Sequence, residues 1–194
     1  ILHTGDFFAR SDDTEPVVLE LLGSWDVPQF ACRGNLDRLG DFDGVLARAG
    51  VRAPEGETQT VEVRGVPLTI SGFPSGADAA MKRVLQPLPE DSFNIVLYHH
   101  PYGFPETWRT PADLMLAGHT HGGQARLPFY GALVTMDPYG KRYEYGRYDE
   151  NGATLIVSRG IGCEPATPEV RFLCRPEVVV IDLVGTGPPQ HARA

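Results

Sequence analysis

No stretch of this sequence approaches the roughly 18 consecutive apolar residues that a membrane-crossing helix needs, and no signal peptide is visible. Cysteine is scarce: Cys32, Cys163 and Cys174 sit in or near apolar segments without Cys-x-x-Cys spacing. That excludes a thiolate zinc cage or a dithiol redox motif and makes buried free thiols the expectation, with a Cys163–Cys174 pair left open. Positive charge is short as well, with 17 Lys and Arg against 25 Asp and Glu and a net charge of −8. A broad basic surface for nucleic acid or anionic membrane is therefore not expected. Nothing resembles an interdomain linker or an internal repeat, so residues 1–184 read as one domain, and 185–194 as a disordered tail.

What the chain does have is histidine at strand ends. The apolar run Leu114 to Ala117 reads as a buried strand ending in Gly118-His119-Thr120-His121-Gly122-Gly123-Gln124. In extended backbone, residues two apart point to the same side about 6–7 Å from each other, so His119 and His121 can reach one ion or two adjacent ones. Alone, His-x-His is more often a pair of hydrogen-bonding loop residues. Three other apolar runs end the same way: Ile1 to Thr4 before Gly5-Asp6, Val27 to Cys32 before Arg33-Gly34-Asn35-Leu36-Asp37, and Asn94 to Tyr98 before His99-His100-Pro101. Adjacent histidines point to opposite faces, so only one of His99 and His100 should join a cluster. In α/β sheets ligands bind beyond the carboxyl ends of strands, where segments distant in sequence converge. One carboxylate (Asp6), one amide oxygen (Asn35) and three imidazoles (His99, His119, His121) form a mixed oxygen and nitrogen set that suits Mn, Fe or Zn at a catalytic site.

In this order and spacing, Gly5-Asp6, Gly34-Asn35-x-Asp37, His99-His100-Pro101 and Gly118-His119-Thr120-His121 resemble the second to fifth motifs of the calcineurin-like metallophosphoesterases. The extended Gly-His-Thr-His-Gly-Gly-Gln form, with Ser158-Arg159-Gly160-Ile161-Gly162 and Arg171 to Glu177 downstream, is similar to the bacterial YkuE-type and YaeI-type phosphodiesterase branch. The resemblance covers nearly the whole chain. It implies an α/β fold of two mixed sheets packed face to face with helices outside. It also implies two divalent metal ions, with Mn favoured, and hydrolysis of a phosphodiester or phosphomonoester in a small phosphorylated substrate through a metal-bridging hydroxide. Asp6 would bridge the two ions, Asn35, His99 and His119 would complete the second ion's ligands, and His121 would belong to the first. Asp37 and His100 are the candidate catalytic residues. His100 would hydrogen-bond a phosphate oxygen or orient a ligand, with a packed strand-capping histidine as its equal alternative, while Asp37 could instead only position its loop.

Two departures from the family pattern stand out. The first ion's Asp-x-His is not found before Asp6, and His3 lies within the strand and lacks the partnering aspartate. The chain opens at Ile1, without methionine and inside an apolar pattern, which reads as a truncation that leaves the first strand upstream, together with any membrane-associating amino-terminal segment. At Leu36 the family commonly carries a histidine held to protonate the leaving group, a role leucine cannot fill; general-acid help is worth about 10² to 10⁴ in rate. A non-catalytic or single-metal relative is therefore the alternative function, and a different metal hydrolase the third. Arg33 and Arg109 are possible phosphate contacts, though lone loop arginines are more often solvated.

Periodicity predicts helices over 14–24, 41–49 and 77–85 and a hairpin over 61–70 turning at Arg64-Gly65. Strands are expected over 141–148 and 153–158 around Asp149-Glu150-Asn151-Gly152, and a last one over 177–183. Residues 102–111 and 124–139 read as loops carrying Trp108, Phe129, Tyr130 and Tyr139 near the histidines, as loop packing or as an apolar wall for part of a substrate.

Overall fold

A computed structural model describes residues 1–8, 14–164 and 170–185. The tail expected beyond Gly185 lies outside the described residues. Six strands form a mixed sheet in the order β3-β4-β5-β6-β10-β9: β3 (Glu57–Val63), β4 (Val66–Phe73), β5 (Phe93–Tyr98), β6 (Leu114–Ala117), β9 (Gly146–Glu150) and β10 (Ala153–Val157). The central strands β4, β5, β6 and β10 run parallel, and each edge strand is joined by an antiparallel hairpin. A second, two-stranded parallel sheet pairs β1 (Leu2–His3) with β2 (Phe30–Ala31). A small hairpin pairs β7 (Arg126–Leu127) with β8 (Gly131–Ala132).

Alternation along the central strands builds the layers. On β5, Ile95 and Leu97 face one side and Val96 and Tyr98 the other; on β6, Leu114 and Leu116 oppose Met115 and Ala117. The first set packs with Phe30 of the small sheet and with Cys32 just past it, so the two sheets lie face to face. The second set packs under α3 (Asp78–Leu85) through Met81 and Leu85. Outside the small sheet, α1 (Glu15–Gly23) and α2 (Phe42–Ala49) cover Ala31 with Val18, Leu22, Val45 and Leu46. Central parallel strands are largely apolar on both faces because both are covered, which explains the hydrophobic runs Ile95 to Tyr98 and Leu114 to Ala117. The expected α/β architecture of two facing sheets with helices outside is what forms.

The helices match their predicted spans to within a residue at each end. Asp41 caps α2 by accepting the Gly44 amide, and Gly50 closes it at φ 70°. Both two-residue hairpin turns, Arg64-Gly65 and Asn151-Gly152, place positive φ at both positions, the twist-matched type I′ form.

Two strand expectations fail. Residues 141–145 are turns and the strand starts only at Gly146, because Tyr143 leaves the alternating pattern to bury its ring completely in the core. Residues 177–183 pair with no strand: Val178 and Val180 are more than four-fifths exposed, and apolar β-formers without a ladder partner do not make a strand. Ile181 and Leu183 instead line an apolar cleft of about 260 Å³ beside Leu2, Phe30, Ile70 and Ile95, at the border of the two sheets. The segment 102–111, read as a loop, carries a 3-10 turn over Pro101–Thr107, and 124–139 contains the β7–β8 hairpin. All three cysteines are free, Cys32 and Cys174 buried and Cys163 half-buried.

Leu97 lies fully buried between the facing sheets. Leu97→Ala should cost about 2–5 kcal/mol in urea unfolding, and a loss well under 1 kcal/mol would show that the two sheets do not pack there.

Candidate metal centre

Where β1, β2, β5 and β6 end, their following loops converge. Asp6, His99 and His119 each offer a ligand atom, and these three atoms all lie within 4.8 Å of one another. His99 Nε2 stands 2.9 Å from Asp6 Oδ2. That approach lacks hydrogen-bond alignment, so the nitrogen is buried without a hydrogen-bond partner. The other ring nitrogens are accounted for: His99 Nδ1 donates to the Thr4 carbonyl at 2.6 Å, and His119 Nε2 donates to the Met136 carbonyl at 3.2 Å. With those N–H groups assigned by their carbonyl partners, His99 Nε2 and His119 Nδ1 carry the free lone pairs. Asn35 Oδ1 is likewise buried and unpartnered. Buried polar atoms are nearly always satisfied in folded proteins, so a carboxylate, an orphan amide oxygen and two oriented imidazoles fit a divalent cation.

The backbone at the site is strained. Asp6, His119 and His121 hold φ at 59°, 63° and 50°, a region non-glycine residues seldom enter. At Asp6, Asp37 holds it. Its fully buried carboxylate accepts the amides of Phe7 (2.6 Å), Gly34 (2.7 Å), Asp6 (2.9 Å) and Phe8 (3.3 Å). Burial raises the Asp37 carboxyl above its ordinary value despite these amides. The two loops interlock so closely that a Cβ on Gly34 would collide with the Asp6 side chain, and one on Gly5 would sit 2.5 Å from the Gly34 nitrogen. Leu36 contributes its backbone, donating its amide to Asp6 Oδ1 at 2.8 Å. Burial disfavours ionising Asp6, but His99 and the Leu36 amide outweigh it and hold the carboxyl below its usual value. Burial lowers the His119 imidazole, and neighbouring His99 lowers it further.

His100 is not among the three close ligand atoms, yet its ring stays beside the cluster, 5.0 Å from that of His99. Its Nε2 lies 2.6 Å from Ser75 Oγ, its ring stacks on Tyr102 at 4.9 Å and meets His119 at 4.2 Å, and its Nδ1 is buried without a partner. Burial, reinforced by His119 and His99, pushes it down to about 3, so it is neutral near pH 7. His121 falls outside the close group. Its Nδ1 lies 3.5 Å from Arg171, which also donates to the His121, Arg159 and Gly162 carbonyls. Burial and the Arg171 charge both lower the His121 imidazole.

Other residues read from the sequence lie elsewhere. His3 bonds Gln29 at 3.0 Å and packs on Phe7. Arg33 is taken by Glu55 and Asp43, both at 2.6 Å. Arg109 lines a polar cleft of about 420 Å³ with Glu90 and Asp113, at the opposite ends of β5 and β6. Trp108 packs on Phe104 and Tyr139 on Tyr143, while Phe129 stands fully in solvent, so these aromatics form no wall at the cluster. Ser75, Thr4 and Met136 belong to none of the motifs, and Arg171 opens the Arg171–Glu177 run without a role assigned to it. β4 runs on to Phe73, past the expected end at residue 70, so Ser75 too lies just beyond a strand end.

No protein-family model matches the chain. Over 102 residues, 53% of this chain and 35% of the relative, it is 42% identical to the uncharacterized metallophosphoesterase YkuE of Bacillus subtilis. It is 30% identical to the phosphodiesterase YaeI of Escherichia coli, covering 81% of this chain and 58% of that protein. An uncharacterized metallophosphoesterase of Aquifex aeolicus is 29% identical across 96% of this chain and 73% of its own length. The chain thus spans about a third of YkuE and under three-fifths of YaeI. Among solved structures, a Staphylococcus aureus protein assigned as a 5′-nucleotidase superposes with a TM-score of 0.51 at 13% identity, covering 82% of this chain and 40% of that one, a likeness of fold. The chain is thus similar in sequence to curated bacterial metallophosphoesterases, two of them along 81% and 96% of its length, which is consistent with the calcineurin-like metallophosphoesterase superfamily.

Proposed function

We propose that this chain is the metal-binding body of a hydrolase of phosphate esters, with phosphodiesters favoured over monoesters and Mn favoured over Fe or Zn. One observation carries the reading: ligand atoms of Asp6, His99 and His119 lie within 4.8 Å of one another, while Asn35, between the two loop residues that meet Asp6, has a buried Oδ1 without a partner. Asp6, Asn35, His99 and His119 would hold one divalent ion, with His121 reserved for a second. Such an ion supplies the charge that makes a water nucleophilic near neutral pH and neutralises the attacked phosphoryl group. The chain's own residues do the positioning. Thr4 and Met136 fix which imidazole nitrogen is free, and Asp37 holds the loops of Asp6 and Asn35 in register without reaching a substrate. His100, neutral and held by Ser75, is the group left to contact a phosphoryl oxygen of a small phosphorylated substrate.

A second reading, a relative that binds a single ion, is favoured by Arg171. A guanidinium 3.5 Å from His121 Nδ1 faces the lone pair of that nitrogen and places a fixed positive charge where a second cation would be repelled.

Replacing a ligand tests the site. Asp6→Asn and His119→Ala should each weaken Mn binding, followed by calorimetric titration, by more than the roughly 10- to 100-fold typical of an outer-shell change. Hydrolysis of bis-p-nitrophenyl phosphate should fall with it, and activity surviving His119→Ala would sink the assignment. The titration also counts ions: two per chain supports the dinuclear form, and one supports the single-ion reading.

Asp37→Ala would strand four buried or half-buried amides. An unfolding free energy lower by about 2–5 kcal/mol is expected, with Mn affinity reduced although no ligand is changed; unaltered stability would contradict the stapling role.

His100 gives a pH signature in chelator. Its folded value lies below the ordinary 6.5, so as pH falls the unfolded chain takes up the proton first. Stability is therefore greatest above pH 6.5 and declines below it, and His100→Asn should flatten that decline in urea midpoints taken across pH 5–7. An unchanged slope would show that His100 is not buried neutral.

A further inference from the structure

We propose that the outward face of the β7–β8 hairpin docks on a lipid bilayer that contains anionic lipid. The proposal reaches beyond the hydrolase reading and does not depend on it. The hairpin's two faces separate by register. Arg126 pairs with Ala132 on the inner face, where Ala132 is fully buried and Glu144 accepts from both Arg126 and the Ala132 amide. The next position out is the reverse. Leu127 opposes Gly131, the Leu133 amide donates to the Ala125 carbonyl, and Ala125 is bridged to Phe172 on its other side. Leu127, Leu133 and Phe172 therefore share one outward face, 45%, 49% and 54% exposed. At the tip Phe129 projects wholly into solvent at φ 64°, beside the exposed Tyr130.

Charge settles what kind of partner this face suits. In a chain of net charge −8, residues 125–136 contain no carboxylate, and the next acid, Asp137, is buried. The Lys141 ammonium lies 3.6 Å from the Tyr130 ring centroid and donates to the Tyr130 carbonyl, and among the described residues it has no carboxylate partner. Aromatic and aliphatic side chains beside an uncompensated lysine match the boundary between anionic headgroups and acyl chains. A protein partner would need a recess shaped to a projecting phenylalanine, whereas a fluid bilayer accommodates it without one. Soluble monomers seldom leave such a patch open.

Vesicle flotation of the 194-residue chain tests this, with phosphatidylcholine alone and phosphatidylcholine mixed with phosphatidylglycerol. The wild type should float with the mixed vesicles, and Phe129→Ser with Leu133→Ser should reduce partitioning about tenfold or more while thermal unfolding stays unchanged. Lys141→Glu should weaken only the phosphatidylglycerol-dependent binding, by roughly fivefold or more. A wild type that floats with neither vesicle, or binding untouched by the hairpin variants, would overturn the proposal. So would light scattering that shows a dimer which the double substitution dissociates, since the face would then be an interface between copies. None of these outcomes turns on whether the chain hydrolyses a phosphate ester.

Discussion

The Asp37 carboxylate is the constraint on which the rest of the candidate centre depends. Two loops leave the paired ends of β1 and β2, and each must deliver one oxygen donor, Asp6 or Asn35, toward histidines arriving from the other sheet. Backbone amides at such a crossing have no ladder to satisfy them. A buried acceptor between the loops solves both problems, since it satisfies the amides of Asp6, Phe7, Phe8 and Gly34 and fixes the distance between the chains that carry the donors. The glycines at 5 and 34 follow from it, because only residues without a Cβ let the loops approach this closely. The positive φ at Asp6 follows too, an unfavourable local conformation that its surroundings over-determine.

A second layer of the same logic runs through backbone carbonyls. Thr4, one step past β1, orients His99 across the gap between the sheets, and Met136, after the small hairpin, orients His119. Each imidazole is thus fixed at one nitrogen by a segment from elsewhere in the fold, which leaves the other nitrogen directed at the shared space. Arg171 does something different at His121, bringing a fixed positive charge to a ring the motif would assign to a second ion. The contrast between an uncharged carbonyl at two histidines and a guanidinium at the third separates a prepared ligand pair from one that is restrained.

The site was legible in the sequence to the extent that it follows strand ends. Apolar runs of four to six residues mark β5 and β6, and the polar residue after each is placed by topology alone, which is why Asp6, His99 and His119 could be read as a group before their approach was visible. The edges were less legible. Residues 177–183 have strand composition but find no ladder, and strand propensity reflects a packed, paired environment more than the residue itself. Tyr143 broke an alternating pattern by turning inward, since a large aromatic gains more from full burial than from keeping register at a sheet edge. Ser75 and Arg171 escaped because their roles exist only through tertiary neighbours. The side of His99-His100 that joins the cluster was constrained to be one of two, and the carbonyl of Thr4 selects His99.

The central claim is that the oriented histidine nitrogens, the Asp6 carboxylate and the unpartnered Asn35 oxygen share one cation. Anomalous diffraction from a crystal grown with Mn tests it most directly. The account predicts a peak in contact with Asp6, Asn35, His99 Nε2 and His119 Nδ1, at about 2.0–2.3 Å from each donor atom. A crystal that shows manganese bound elsewhere, with these four side chains closed on one another, would contradict it.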